Sequence, residues 1–122
     1  MSTSLSLTII GSVLILLGLV KNLIPEKFNQ MVMGDLHEAA INPGAAMRIV
    51  IGGAFMAVGI IAIYCRNLPN ESATILLTAI QIGLAVIIVT IISGKLRGFM
   101  DDIPVPPLFI FSGLIAIGYF AS

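Results

Sequence analysis

Residues 45–64 read AAMRIVIGGAFMAVGIIAIY, an unbroken apolar run whose one charged residue is Arg48. A hydrocarbon core about 30 Å thick is crossed by roughly 20 mostly apolar residues wound as an α-helix, so this stretch has the length and composition of a membrane span. The apolar positions are continuous rather than alternating, which argues against a barrel strand. In lipid, a helix is the remaining way to satisfy every backbone N–H and C=O.

Outward from this run, three more apolar stretches fall at about 5–24, 73–93 and 105–120. Each is punctuated. Pro25 stops the first, and Asn42, Pro43 and Gly44 read as a turn before the second. Leu68, Pro69 and Asn70 make a tight hairpin between the second and third, and residues 101–107, with prolines at 104, 106 and 107, separate the third from the fourth. The first run has no basic segment before it and no A-x-A-like cleavage site after it, so it is read as a span and not as a removable signal peptide. The expected fold class is all-α: an integral membrane four-helix bundle, one domain over residues 1–122, with 25–44 as a loop or interfacial segment.

With 58% hydrophobic and 10% charged residues, the chain is too apolar to cover a soluble globule with polar surface. Six Lys and Arg balance six Asp and Glu, leaving no basic field to hold nucleic acid. The single cysteine, Cys65, has no partner for a disulfide or a CxxC motif. Lys21, Lys27, Arg48, Lys95 and Arg97 follow the first and third spans, against Arg66 on the other side, so the positive-inside rule predicts both termini outside the cytoplasm. Ten of the twelve charges collect at that inner end, which is where chemistry is expected.

An Arg at the inner end of a span is costly to bury unpaired, so Arg48 is expected to find Asp101, Asp102, Asp35 or Glu38, or else to reach the headgroups. Arg48, Lys95 and Arg97 are the candidates for an anionic-ligand or headgroup site, with Asp101 and Asp102 as ion-pair candidates beside them. Ordinary snorkelling and interfacial ion pairs would account for the same residues structurally. Gln81, deeper in the third span, is expected to hydrogen-bond across a helix interface.

Three stripes repeat at helical spacing: Gly11, Ile15, Gly18 and Asn22; Arg48, Gly52, Phe55 and Gly59; Thr74, Thr78, Gln81 and Ala85. Their small and polar residues should face protein, not lipid. Between the first two spans, Phe28, Met31, Val32, Leu36 and Ile41 are interleaved with polar residues, which fits a short amphipathic helix at the interface or a lid. His37 with Asp35 and Glu38 lacks a second histidine and a ligand spacing, and the adjacent Asp101 and Asp102 read as a helix ending. No catalytic or metal residues are assigned.

The segments GLVKNLIPEKF at 18–28, MRIVIGGAFMAVG at 47–59 and GKLRGFMDDIP at 94–104 together resemble the four-helix bacterial family catalogued as domain of unknown function 4345, a relative of the DoxX-like membrane proteins. The resemblance covers most of the chain. It implies a compact bundle in a bacterial inner membrane, with Arg48 at the start of the second helix and Lys95 or Arg97 ahead of the acidic pair Asp101 and Asp102. Family members often carry an acidic residue in the fourth helix, where this chain has Ser112 and Tyr119. Through its DoxX-like relatives, the resemblance also implies an accessory role in a quinone-linked oxidoreductase.

The leading expectation is a non-enzymatic bundle, a homo-oligomer or a partner of another membrane protein, surrounded by membrane lipids. A lipid, small-ligand or ion pathway entered from the charged face is the alternative. No cofactor is assigned from the residues; quinone and lipid are the ligands these readings allow.

Overall fold

The computed structural model describes residues 2–99 and 105–120. They form five helices: α1 (Thr3–Leu23), α2 (Pro25–Met33), α3 (Glu38–Tyr64), α4 (Asn70–Leu96) and α5 (Val105–Tyr119). The architecture is all-helical, as expected, but the expected count of four becomes five, because α2 lies within 25–44. Residues 11–64 form one compact unit, and the described residues of 1–10 and 65–122 form another.

Within the first unit, α1 and α3 run against each other along a glycine seam. A Cβ built on Gly11 would stand 2.7 Å from the carbonyl oxygen of Gly59, and one on Gly59 would stand 2.6 Å from that of Gly11. Two turns away, Gly18 lies directly against the carbonyl of Gly52 and the side chain of Met56. Such approach is open only to residues without a side chain, and it gives apolar helices the van der Waals contact that lipid does not supply. Asn22 extends the seam, its Nδ2 donating to the Gly18 carbonyl at 3.0 Å and to that of Ile49 on α3 at 3.3 Å. The stripes read on these two helices therefore face each other inside the chain.

Helix α2 follows α1 after a single residue, Ile24, and opens on Pro25, whose fixed φ and missing N–H suit a first helical position. It stops at Gly34, where φ is +75° and the N–H donates to the Gln30 carbonyl at 2.9 Å. Pro25, Phe28, Asn29 and Val32 form its covered stripe, at the i, i+3, i+4, i+7 spacing of one helix face.

The second span starts earlier than expected, at Glu38 and not near residue 45. His37 begins it: its Nδ1 accepts the Ala39 N–H at 3.1 Å and its carbonyl accepts that of Ala40 at 2.8 Å. The expected turn at 42–44 is helical, with Pro43 inside α3. Proline there leaves the carbonyl of residue 39 without its usual helical donor. Packing offsets that loss: Gly44 has no side chain, so Asn29 and Leu36 settle against it, with 3.3 Å from its Cβ position to each. The expected loop shrinks to residues 34–37.

The second unit is cored by Leu7 and Ile10 of α1, by Ala73, Leu77, Ile80 and Leu84 of α4, and by Phe111 and Leu114 of α5. Gln81 Nε2 donates to the Ile115 carbonyl at 2.8 Å, and Gly118 makes room for the amide. The Ser6 hydroxyl donates to the Ile117 carbonyl at 3.4 Å.

On the outside, large apolar side chains stay uncovered. In the most apolar stretch of both α3 and α4 only 17% is buried within the protein, with Val50, Ile60, Ile75, Ile82 and Val89 all exposed. In water such a surface drives association; against acyl chains it is at home. Helices α1, α3 and α4 are long and apolar enough to cross a membrane, whereas α5, at 15 residues, is about 22 Å long and falls short of a full core.

Candidate anion site at a buried cation pair

The site is built in the first unit, where α1 ends and α2 turns back over the start of α3. Lys21, in the last turn of α1, is 4% exposed. Its Nζ lies 4.4 Å from the centroid of the Phe28 ring and 4.6 Å from that of Phe55, and donates a long hydrogen bond of 3.5 Å to the Leu17 carbonyl. Arg48 of α3 approaches the same ring, its Cζ standing 5.0 Å from the Phe28 centroid. Each such cation–π contact contributes on the order of 0.5–2 kcal/mol, more as water is removed.

Among the described residues, Arg48 meets a neutral amide and not a carboxylate. Its Nε donates to Asn29 Oδ1 at 2.7 Å, and among the described residues neither Asp35 nor Glu38 pairs with it. Asp101 and Asp102 lie outside the described residues. Asn29 is 1% exposed, and with Oδ1 committed to Arg48 its Nδ2 has no hydrogen-bond partner among the described residues. Two cations thus gather around one aromatic ring and one amide, with no ion pair to either among the described residues. A buried charge without its counter-charge is unfavourable by several kcal/mol, and most of the donors of an ammonium and a guanidinium here are uncommitted.

Beside Asn29 is a cavity of about 190 Å³ lined by Glu26, Asn29, Gln30, Asp35, Leu36 and Ile41. Of the other residues singled out in the sequence, Lys95 is half-buried in the last turn of α4, and Arg97 closes that helix, exposed, with its guanidinium 5.1 Å from the Phe99 ring centroid. Gln81 is used in the α4–α5 contact.

Sequence reasoning missed Lys21, Phe28 and Asn29 as one group. A signal was present: Asn29 sits at a core position of the stripe formed by Pro25, Phe28 and Val32, the place where an apolar residue is expected.

Among the described residues, the fold and site together define an all-helical protein with three helices of membrane-spanning length and a buried Lys paired with a half-buried Arg beside the α1–α2 junction. No family model matches the chain, and neither a curated protein nor a solved structure does.

Proposed function

We propose that this chain is a non-enzymatic four-span bundle of a bacterial inner membrane that holds an anionic, phosphate-type group at Lys21 and Arg48. The single observation behind the proposal is the charge deficit: among the described residues, a buried Lys and a half-buried Arg share Phe28 and meet only neutral acceptors, the Leu17 carbonyl and the Asn29 amide oxygen. Phosphate oxygens accept from guanidinium and ammonium groups through charge-assisted hydrogen bonds, stronger than the bond to an amide. Self-association, expected from the small-residue stripes, loses part of its motivation, since the glycines of α1 and α3 are occupied by one another.

A phosphate can come from a lipid headgroup or from solution, and the test separates the two. Arg48→Ala protein purified in neutral detergent should retain about tenfold less anionic phospholipid by native mass spectrometry than the unaltered chain, the loss of one charge-assisted bond. A thermal shift with inorganic phosphate alone, absent in the variant, would instead identify a free anion. Unchanged lipid retention and no phosphate response would defeat the reading.

The proposed orientation has its own check. With both termini outside the cytoplasm, the turn after α3 lies outside as well, and it carries the chain's one cysteine, half-buried Cys65. A membrane-impermeant maleimide should label Cys65 in intact spheroplasts. Labelling only after lysis reverses the topology.

A further inference from the structure

The cavity next to the cation pair has a chemistry of its own. Two carboxylates, Glu26 and Asp35, line it with Gln30, while Leu36 and Ile41 provide an apolar wall. Asn29 joins it to the basic pair, because this residue is among those lining the cavity and its Oδ1 accepts from Arg48. The amide's other end, Nδ2, is a buried donor with no acceptor among the described residues, which is costly unless something occupies it. Cations, then a donor lacking an acceptor, then carboxylates: the order of charges along the site is that of a ligand with an anionic group at one end and a cationic group at the other.

We propose that the cavity takes the ammonium end of a zwitterionic phosphate ester, phosphoethanolamine, whose phosphate is held by Arg48 and Lys21. The ammonium would donate to Glu26 and Asp35, and an ester oxygen would accept from Asn29 Nδ2. The inference rests on the phosphate reading given above and adds the identity of the headgroup. The surroundings suit a lipid: Leu23, Ile24, Met31 and Met33, at the ends of α1 and α2, expose apolar side chains next to the cavity-lining segments, as in a helix lying at the level where headgroups meet acyl chains.

The probes are phosphatidylethanolamine and phosphatidylglycerol with the same acyl chains, each offered to the full chain in neutral detergent and read by native mass spectrometry. The unaltered protein should prefer phosphatidylethanolamine by roughly tenfold, the value of one charge-assisted hydrogen bond to a carboxylate. A Glu26→Gln, Asp35→Asn variant should lose that preference while still binding phosphatidylglycerol; both positions are exposed and both replacements keep the side-chain shape, so the fold is retained. Soluble phosphoethanolamine added as a competitor distinguishes the sources: displacement of lipid by it places recognition in the headgroup, and displacement by inorganic phosphate to the same extent overturns the ammonium assignment. Equal binding of the two lipids by the unaltered chain, or a preference that survives the double variant, overturns it too. If Arg48→Ala abolishes binding of both lipids while no preference exists, the phosphate reading stands and this one falls; if Arg48→Ala changes neither, the phosphate reading itself is lost.

Discussion

Replacing Gly18 with leucine should abolish recovery of folded protein, and replacing it with alanine should already lower stability by about 1–3 kcal/mol, the usual penalty for forcing atoms into a filled interior. At Gly18 an added carbon meets the Gly52 carbonyl and the Met56 side chain, and at Gly52 it meets Asn22 Nδ2 at 2.7 Å and the Gly18 carbonyl at 2.8 Å. Backbone cannot yield as a flexible side chain does, so α1 and α3 would have to separate. That would loosen the Asn22 bridge and the packing of Lys21 on Phe55 together. Gly53 and Gly83 are the internal controls, since nothing lies within 4 Å of a carbon added to either. Alanine there should leave stability within about 0.5 kcal/mol or raise it by up to about 1 kcal/mol, because glycine is a poor helix residue. Unfolding in detergent followed by circular dichroism measures all of these. If Gly18→Ala and Gly83→Ala behave alike, the glycine seam is not what joins α1 to α3.

Supplying a carboxylate from within should empty the site. In Asn29→Asp, an anion replaces the amide oxygen that accepts from Arg48 at 2.7 Å, next to the ring that Lys21 also contacts. Burying one more carboxylate carries a desolvation penalty, but two cations are already in place to answer it. Retention of anionic phospholipid should therefore fall about tenfold or more while the protein stays folded. Asn29→Leu separates charge from packing. It removes both the acceptor for Arg48 and the Nδ2 donor, lowers stability by about 1–3 kcal/mol and leaves the cations more in need of an anion, so lipid retention should fall far less than in Asn29→Asp. A larger loss in the variant that stays better folded is not produced by general destabilisation. Equal retention by both variants would mean that Asn29 does not set the charge balance of the site.

The membrane-spanning runs were legible because a bilayer imposes a length and an apolar composition that residues 45–64 and 73–93 display openly. Glycine spacing marked Gly11, Gly18, Gly52 and Gly59 as contact positions, although only the structure shows which stripe meets which. Pro43 misled for a definable reason. Local rules end a helix there, yet Asn29 of α2 and Leu36 of the following loop pack against Gly44 in the first turns of α3 and hold the helix through the proline. Lys21, with Asn22 and Pro25 after it, reads in the sequence as the end of a span, where lysines ordinarily reach water. Here Phe28, seven residues on, is laid over the ammonium by the abrupt start of α2, and Phe55 of α3 adds a second ring. Arg48 was expected to find an acid or to reach the headgroups; among the described residues it meets the Asn29 amide, while Asp101 and Asp102 lie outside them, and that neutral partner is what makes the pair a candidate site.

The most direct measurement compares two lipids that differ only in the phosphate. Protein stripped of native lipid is offered phosphatidylglycerol or a diacylglycerol with identical acyl chains in neutral detergent, and the bound fraction of each is read by native mass spectrometry. A site made by Lys21 and Arg48 predicts retention of the phospholipid at least about tenfold above the diacylglycerol, and no such difference in Asn29→Asp. Equal retention of both by the unaltered chain would show that acyl chains alone are recognised and would contradict the account.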